Sequence, residues 1–148
     1  MATLRRPSLF VLCFWMSAAS FADEVSCERQ KYDPEFPATL VNEYQIIGRM
    51  PGSRAVYEGT LELQKGKAAY TLKRTVAGST MTGEAWIEAC GSDKFKMLNS
   101  KYTQGKKPME GQCFMESNLE NGMLLSCYTD FVGEQNEPYG LESLFPSN

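Results

Sequence analysis

The chain contains no histidine. Without an imidazole it can form no Ser-His-Asp triad, no Cys-His pair and no histidine metal site. It also lacks a G-x-S-x-G turn, a P-loop and a G-x-G-x-x-G fingerprint, which are the usual signatures of hydrolases, nucleotide hydrolases and dinucleotide enzymes. We therefore expect a protein that is not an enzyme and that uses no cofactor.

The sequence also has no C-x-x-C pair. Cys13 lies in the apolar N-terminal segment, and the other cysteines are Cys27, Cys90, Cys113 and Cys127. Widely spaced cysteines without histidine do not match the knuckles of a zinc site, so no metal is expected. Four cysteines in a small exported chain are typical of two disulfides.

No apolar run approaches the ~20 residues that cross a bilayer as a helix. The N-terminal segment instead carries two arginines, an apolar run from Leu9 to Met16, and the small residues Ser20 and Ala22. This layout is typical of a secretory signal peptide. We predict a signal peptide at residues 1–22, a single disulfide-stabilised β-domain at residues 23–148, and a periplasmic or secreted location.

Positive charge is in deficit. The net charge is −3, and it becomes −5 once the two arginines of residues 1–22 are removed. An acidic chain argues against nucleic acid or an anionic membrane as the partner, and no membrane insertion is expected after signal cleavage. A local run of five lysines is interpreted as a solvated strand face and loop: Lys94, Lys96, Lys101, Lys106 and Lys107.

The clearest structural pattern is a β-hairpin at residues 56–74. Apolar and polar residues alternate on both sides of a glycine-containing turn, so that Tyr57, Leu61 and Leu63 share one face and Tyr70 and Leu72 share another. A hairpin alone is marginally stable in water, so this one must belong to a larger antiparallel sheet.

The rest of the chain supplies further strand patterns, separated by glycine and proline turns. They lie at residues 40–48, 82–90, 94–98, 111–116 and 123–131. Residues 102–110 are interpreted as a loop. Leu141, Leu144 and Phe145 stand at i, i+3 and i+4, which predicts a short C-terminal helix. The predicted fold is all-β: a single antiparallel meander barrel or strongly curled sheet.

The register of the last hairpin predicts which cysteines face each other across it. If its loop runs from Asn118 to Gly122, then Ser117 faces Met123 and Cys113 falls opposite Cys127; a two-residue Asn-Gly turn would break that pairing. Four cysteines allow three pairings. We choose Cys113 with Cys127, and therefore Cys27 with Cys90.

Residues 44–86 carry a recurring pattern of turns and sheet strands. It consists of Tyr44 to Gly48, Pro51-Gly52, Tyr-x-Gly-Thr at 57–60, a glycine at 66, Tyr-x-Leu at 70–72 and Gly-x-Ala at 83–85. This pattern resembles small exported bacterial proteins similar to calycins, the antiparallel barrels of the lipocalin type. The chain departs from the common pattern in having Arg74 rather than an aromatic residue. The resemblance implies a barrel.

Two binding functions follow from this fold. The first is a macromolecule-binding protein, for example an inhibitor of a cell-wall hydrolase, to which an acidic chain would attract a basic enzyme. The alternative is a carrier of a small apolar ligand, held among inward residues that include Phe114. Residues 27–38 contain Pro34 and Pro37 and are predicted to form an extended N-terminal arm. Trp86 is either half-covered by this arm or part of an exposed recognition surface. The candidate binding residues are Tyr57, Tyr70, Trp86, Tyr102 and Phe114.

Overall fold

The computed structural model describes residues 26–118 and 122–147, so the predicted signal peptide at residues 1–22 lies outside the described residues. The described chain contains nine strands and one short 3-10 turn, Ala38–Leu40. The strands are β1 (Cys27–Arg29), β2 (Glu43–Arg49), β3 (Val56–Lys65), β4 (Tyr70–Val76), β5 (Ser79–Cys90), β6 (Phe95–Gln104), β7 (Lys107–Asn118), β8 (Gly122–Phe131) and β9 (Gly140–Pro146).

Strands β2 to β9 form a closed antiparallel barrel of eight strands. Each strand pairs with the next along the chain, and β9 pairs back onto β2 to close the sheet. The ninth strand, β1, pairs with the C-terminal part of β5 outside this ring. The two described ranges contain no α-helix, and thus no helix that is long and apolar enough to cross a membrane. The prediction of a single all-β meander barrel is confirmed.

The central hairpin forms as its alternation predicted. Lys65 pairs with Tyr70 across the turn, and Leu61, Leu63 and Leu72 are buried inside the barrel. The intervening polar residues face the solvent. Burial of alternate side chains is what a sheet with one wet and one dry face requires.

Both predicted disulfides are present. Cys113 stands directly opposite Cys127 in the β7–β8 register and bonds to it, and Ser117 pairs with Met123 as the longer loop requires. Cys27 pairs with Cys90, which ties β1 to the end of β5.

The prediction of a C-terminal helix is wrong. Residues 140–146 form β9, in which Glu142 and Leu144 face the interior while Leu141 and Phe145 stay exposed. The apolar residues of this segment do have the i, i+3, i+4 spacing of a helix. Without a strand here, however, β2 and β8 would be the unpaired edges of an open sheet. Pairing with β2 and β8 outweighs the local helical pattern.

Two smaller predictions in the middle of the chain are also wrong. Residues 102–110 are not a loop, because β6 runs to Gln104 and β7 begins at Lys107 with only a tight turn between them. Phe114 was expected to face the interior, but it is 44% exposed and stacks on Phe95 outside. Since Cys113 points inward, its neighbour in the strand must point outward.

The N-terminal arm covers one end of the barrel. The Tyr70 hydroxyl donates hydrogen bonds to the carbonyl oxygens of Asp33 and Phe36, at 3.1 and 2.8 Å. The Tyr44 hydroxyl likewise donates to the carbonyl of Leu40, which is fully buried. The arm therefore closes this end of the interior.

Candidate functional site

The structure divides the five candidate binding residues between two regions. Tyr57, Tyr70 and Tyr102 lie on strands whose alternate residues fill the barrel, whereas Trp86 and Phe114 lie on the outside. Tyr70 supports the N-terminal arm, and Tyr57 and Tyr102 border a buried charge. Tyr70 and Trp86 both line a pocket of about 190 Å³ beside the N-terminal arm, but the five candidates together do not form one site.

The most unusual feature of the interior is a buried ion pair. Arg74 from β4 and Glu142 from β9 are 1% and 6% exposed. The guanidinium binds the carboxylate through two nitrogens, at 2.6 and 2.7 Å, and also donates to the Tyr57 hydroxyl at 2.7 Å. Tyr57 in turn donates to Glu142. We call these three residues, with Tyr102, the interior cluster.

Electrostatics hold the interior cluster in one protonation state. Burial disfavours the charged form of Arg74, but Glu142 more than compensates, so the pKa of Arg74 is raised and the residue stays cationic. Burial and the Glu142 charge raise the pKa of the Tyr57 phenol and of the Tyr102 phenol. Both phenols therefore remain neutral across the physiological range.

The interior holds little free space. Its cavity measures about 20 Å³ and is lined by Arg74, Tyr102 and Glu142 of the interior cluster, by Thr129 and by mainly aliphatic residues. Among the described residues, the Arg74 Nε, the Tyr102 hydroxyl and the Thr129 hydroxyl have no hydrogen-bond partner. A space of this size accommodates about one water molecule, which is what such polar atoms require.

A larger concavity lies on the outside of strands β5 to β8. We call it the outer groove, and its volume is about 390 Å³. Trp86, Asn99, Gln112 and Tyr128 form one row across it, because each is the register partner of the next. Tyr139, from the segment before β9, also lines it. Three strand spacings of ~4.8 Å put Trp86 about 14 Å from Tyr128 along the sheet.

Asn99 occupies an exceptional position in this row. Its side chain faces outward, between those of Trp86 and Gln112, yet it is only 9% exposed. Its amide nitrogen has no hydrogen-bond partner within the described part of the chain. A buried donor without an acceptor costs roughly 1–3 kcal/mol. The outer groove therefore contains one unsatisfied polar group at its base.

Trp86 is held in place from two directions. Its indole nitrogen donates a hydrogen bond to Glu88 at 2.6 Å, and the guanidinium of Arg29 lies 4.8 Å from the ring centroid. Arg29 belongs to β1, so the N-terminal arm does cover part of the ring while Trp86 still lines the outer groove. An immobilised aromatic ring loses little entropy when a ligand stacks on it.

The charges of the outer groove nearly cancel. Lys101, Glu110 and Asp130 form a second row beside the first, again as register partners. Asp130 accepts hydrogen bonds from the side chain and backbone of Asn136, at 2.7 and 3.2 Å. Burial opposes but does not overcome these bonds, which lower the pKa of Asp130. The groove is thus polar and only weakly acidic.

Two other surface features lack this combination. A depression across β3 to β5 is lined mainly by polar side chains, and none of the described residues that line it is aromatic. Cys27, Glu88 and Cys90 bring three ligand-type atoms within 4.8 Å, but both sulfurs belong to a disulfide and cannot bind a metal as thiolates.

Sequence reasoning missed Arg74, Glu142 and Asn99. Arg74 follows Tyr70 and Leu72 at the strand period of two, so the pattern already placed it inside the barrel. Glu142 was missed because its segment was predicted to be a helix, and Asn99 was missed because the predicted strand ended at Leu98. No signal in the sequence distinguishes Asn99 from an ordinary exposed amide.

The fold and its surface define a small, disulfide-linked, eight-stranded antiparallel β-barrel with a filled interior and an aromatic groove on its outside. No protein-family model matches the chain, and no curated protein or solved structure is significantly similar to it.

Proposed function

We propose that the protein is a non-catalytic exported binding protein whose macromolecular partner docks in the outer groove. The observation that carries this proposal is the contrast in space: about 20 Å³ inside the barrel against about 390 Å³ in the outer groove. Ligand pockets for small molecules typically measure 300–1,000 Å³. Capacity for a partner therefore lies on the surface.

The fold supports the calycin-like resemblance, because a closed eight-stranded meander is the architecture expected of that group. Calycin-like carriers hold their ligand inside. Here Leu63, Tyr70 and Leu72 are almost fully buried in the same interior as the Arg74–Glu142 pair. An apolar ligand would have to displace packed side chains and lie against buried charges, which argues for the macromolecule-binding reading.

The two disulfides indicate an oxidising, non-cytosolic environment. A periplasmic or secreted location, reached through cleavage of residues 1–22, agrees with this and forms part of the proposal. As partners in that compartment we consider cell-wall polymers and the hydrolases that cut them. Obstruction of a cell-wall hydrolase is the activity that we propose.

The proposal is tested by titrating oxidised residues 23–148 with three probes: hen lysozyme, purified peptidoglycan sacculi, and the apolar fluorophore N-phenyl-1-naphthylamine. We expect saturable binding to lysozyme or to sacculi, slower lysis of sacculi by lysozyme, and no uptake of the fluorophore. Tyr128→Ala should weaken the binding about tenfold, whereas Phe145→Ala, an exposed aromatic residue on β9, should leave it unchanged. Stoichiometric fluorophore uptake without macromolecule binding would instead establish a carrier.

A further inference from the structure

We infer that the outer groove binds a neutral glycan chain, and that the bound macromolecule is thus a polysaccharide rather than an enzyme. This inference rests on the proposed function and names the class of partner. It is carried by three properties of the groove: an unsatisfied amide at its base, aromatic rings along its sides, and near-neutral charge.

The side-chain amide of Asn99 needs an oxygen acceptor for its hydrogen-bond donor. It is buried in the wall of the barrel, it faces the outer groove, and its nitrogen has no partner among residues 26–118 and 122–147. This nitrogen is shielded from solvent in the free protein, so a ligand oxygen, such as a sugar hydroxyl or an acetamido carbonyl, would satisfy it once a neighbouring side chain of the groove turns aside. Next to it, Gln112 is exposed and offers both donor and acceptor atoms, as hydroxyl groups require.

The aromatic rings provide the apolar contacts of the site. Trp86 and Tyr128 stand at opposite ends of the row, and Tyr139 lines the same groove. Tyr128 and Tyr139 are about half exposed, at 52% and 49%. Rigid rings with polar edges suit a ligand that has both C–H faces and hydroxyl groups, which is the character of a sugar ring.

The composition of the groove favours a glycan over a protein. Among the described residues, no aliphatic side chain lines it. The buried centre of a protein–protein interface is normally apolar and depleted in charged residues, whereas this groove places Lys101, Glu110 and Asp130 beside its central amides. Anionic polymers are disfavoured as well, because two carboxylates face a single lysine here.

Fluorescence provides a direct test. Trp86 is the only tryptophan in residues 23–148 and lines both the outer groove and a pocket of about 190 Å³ beside the N-terminal arm. A change in its emission that Tyr128→Ala abolishes therefore reports the outer groove, because Tyr128 lines that groove and not the second pocket. The oxidised protein is titrated separately with chitohexaose, cellohexaose, laminarihexaose and maltohexaose, with heparin as the anionic control. We expect saturable emission changes with at least one neutral hexasaccharide and none with heparin.

Asn99→Leu is the decisive variant. Leucine is close in size to asparagine and removes the unsatisfied donor, so the free energy of unfolding should stay level or rise. Glycan affinity should nevertheless fall at least about tenfold, which a purely structural asparagine would not show. Tyr128→Ala should give a similar loss, and Phe145→Ala less than about a twofold change.

Three results decide the matter. Binding that follows this variant pattern supports the glycan assignment. If none of the four hexasaccharides binds while lysozyme binds in a Tyr128-dependent manner, the glycan inference fails and the proposed function stands. If neither sugars, sacculi nor lysozyme bind, both fail.

Discussion

Arg74 and Glu142 meet across the inside of the barrel, although they are 68 positions apart and belong to strands that do not pair with each other. The pair forms two direct nitrogen–oxygen contacts and is shared with the Tyr57 hydroxyl. A charge in such a position is tolerable only while its partner is present.

A double-mutant cycle should therefore show strong coupling. Arg74→Met or Glu142→Leu alone should lower the free energy of unfolding by about 3–5 kcal/mol, because each leaves a buried charge uncompensated. The double variant should lose much less than the two single losses combined. Denaturant unfolding measures all four proteins.

The exposed pair Lys107–Glu134 is the matched control, with a nitrogen–oxygen distance of 3.1 Å. Its cycle should give a coupling below about 1 kcal/mol. Simple additivity at Arg74 and Glu142 would contradict our account of the interior.

Stability should decline in alkaline solution. Burial raises the pKa of Tyr44 from 10.0 to about 12, and the phenols of Tyr57 and Tyr102 are also shifted upward. The pKa values of these phenols are higher in the folded protein than in the unfolded chain. Their contribution to the free energy of unfolding is therefore complete below pH 10 and is lost as the pH rises above that value. Each such phenol contributes a slope of roughly 1.4 kcal/mol per pH unit.

Unfolding in guanidinium at half-unit steps from pH 8 to pH 11.5 measures this loss. Tyr44→Phe removes one of the contributions, so its curve should be shallower above pH 10. A free energy of unfolding that stays constant to pH 11.5 would refute the prediction.

The two disulfides should differ in their effects. Replacing Cys113 and Cys127 by alanine removes a link between residues 14 positions apart, which the chain-entropy relation values at about 3 kcal/mol. Replacing Cys27 and Cys90 removes a link over 63 positions, valued at about 4 kcal/mol. Chemical unfolding of the two double variants compares them.

The second pair should also affect the outer groove. Cys27 anchors β1, and β1 places Arg29 over the Trp86 ring. We expect stronger acrylamide quenching of Trp86 in the Cys27→Ala/Cys90→Ala variant and unchanged quenching in the Cys113→Ala/Cys127→Ala variant. Equal quenching in both would show that the arm does not depend on its disulfide.

Gly48 should not tolerate a side chain. A Cβ atom there would lie 2.7 Å from the Leu141 carbonyl oxygen and 3.0 Å from the Tyr57 hydroxyl. The first contact is with backbone and cannot relax easily, so Gly48→Ala should destabilise the fold by about 1–3 kcal/mol. Its melting temperature should fall clearly, whereas that of Thr82→Ala, an exposed site, should stay within a few degrees. Equal melting temperatures would refute the close approach.

Short-range patterns predicted much of the fold. The alternation in residues 56–74 was enough to predict a larger antiparallel sheet, and the longer of two possible loops in the last hairpin paired Cys113 with Cys127, because both depend on neighbours along the chain. The barrel itself was implied by the resemblance of residues 44–86 to calycins. The strand at Gly140–Pro146 was not predictable in the same way, since its partners β2 and β8 outweigh its own helical spacing. The site was harder still: only the assembled sheet buries Asn99 between Trp86 and Gln112.

The position of Glu142 on β9 has a consequence for how the molecule assembles. Until β9 is in place, β2 and β8 are open edges and the guanidinium of Arg74 has no counter-ion. Ring closure and charge neutralisation are then a single event, so a partly assembled barrel combines two exposed edges with an ionic defect in its core. We expect that such a species does not accumulate and that folding passes directly from the open chain to the closed ring, slowed by the long separation of the strands that meet last.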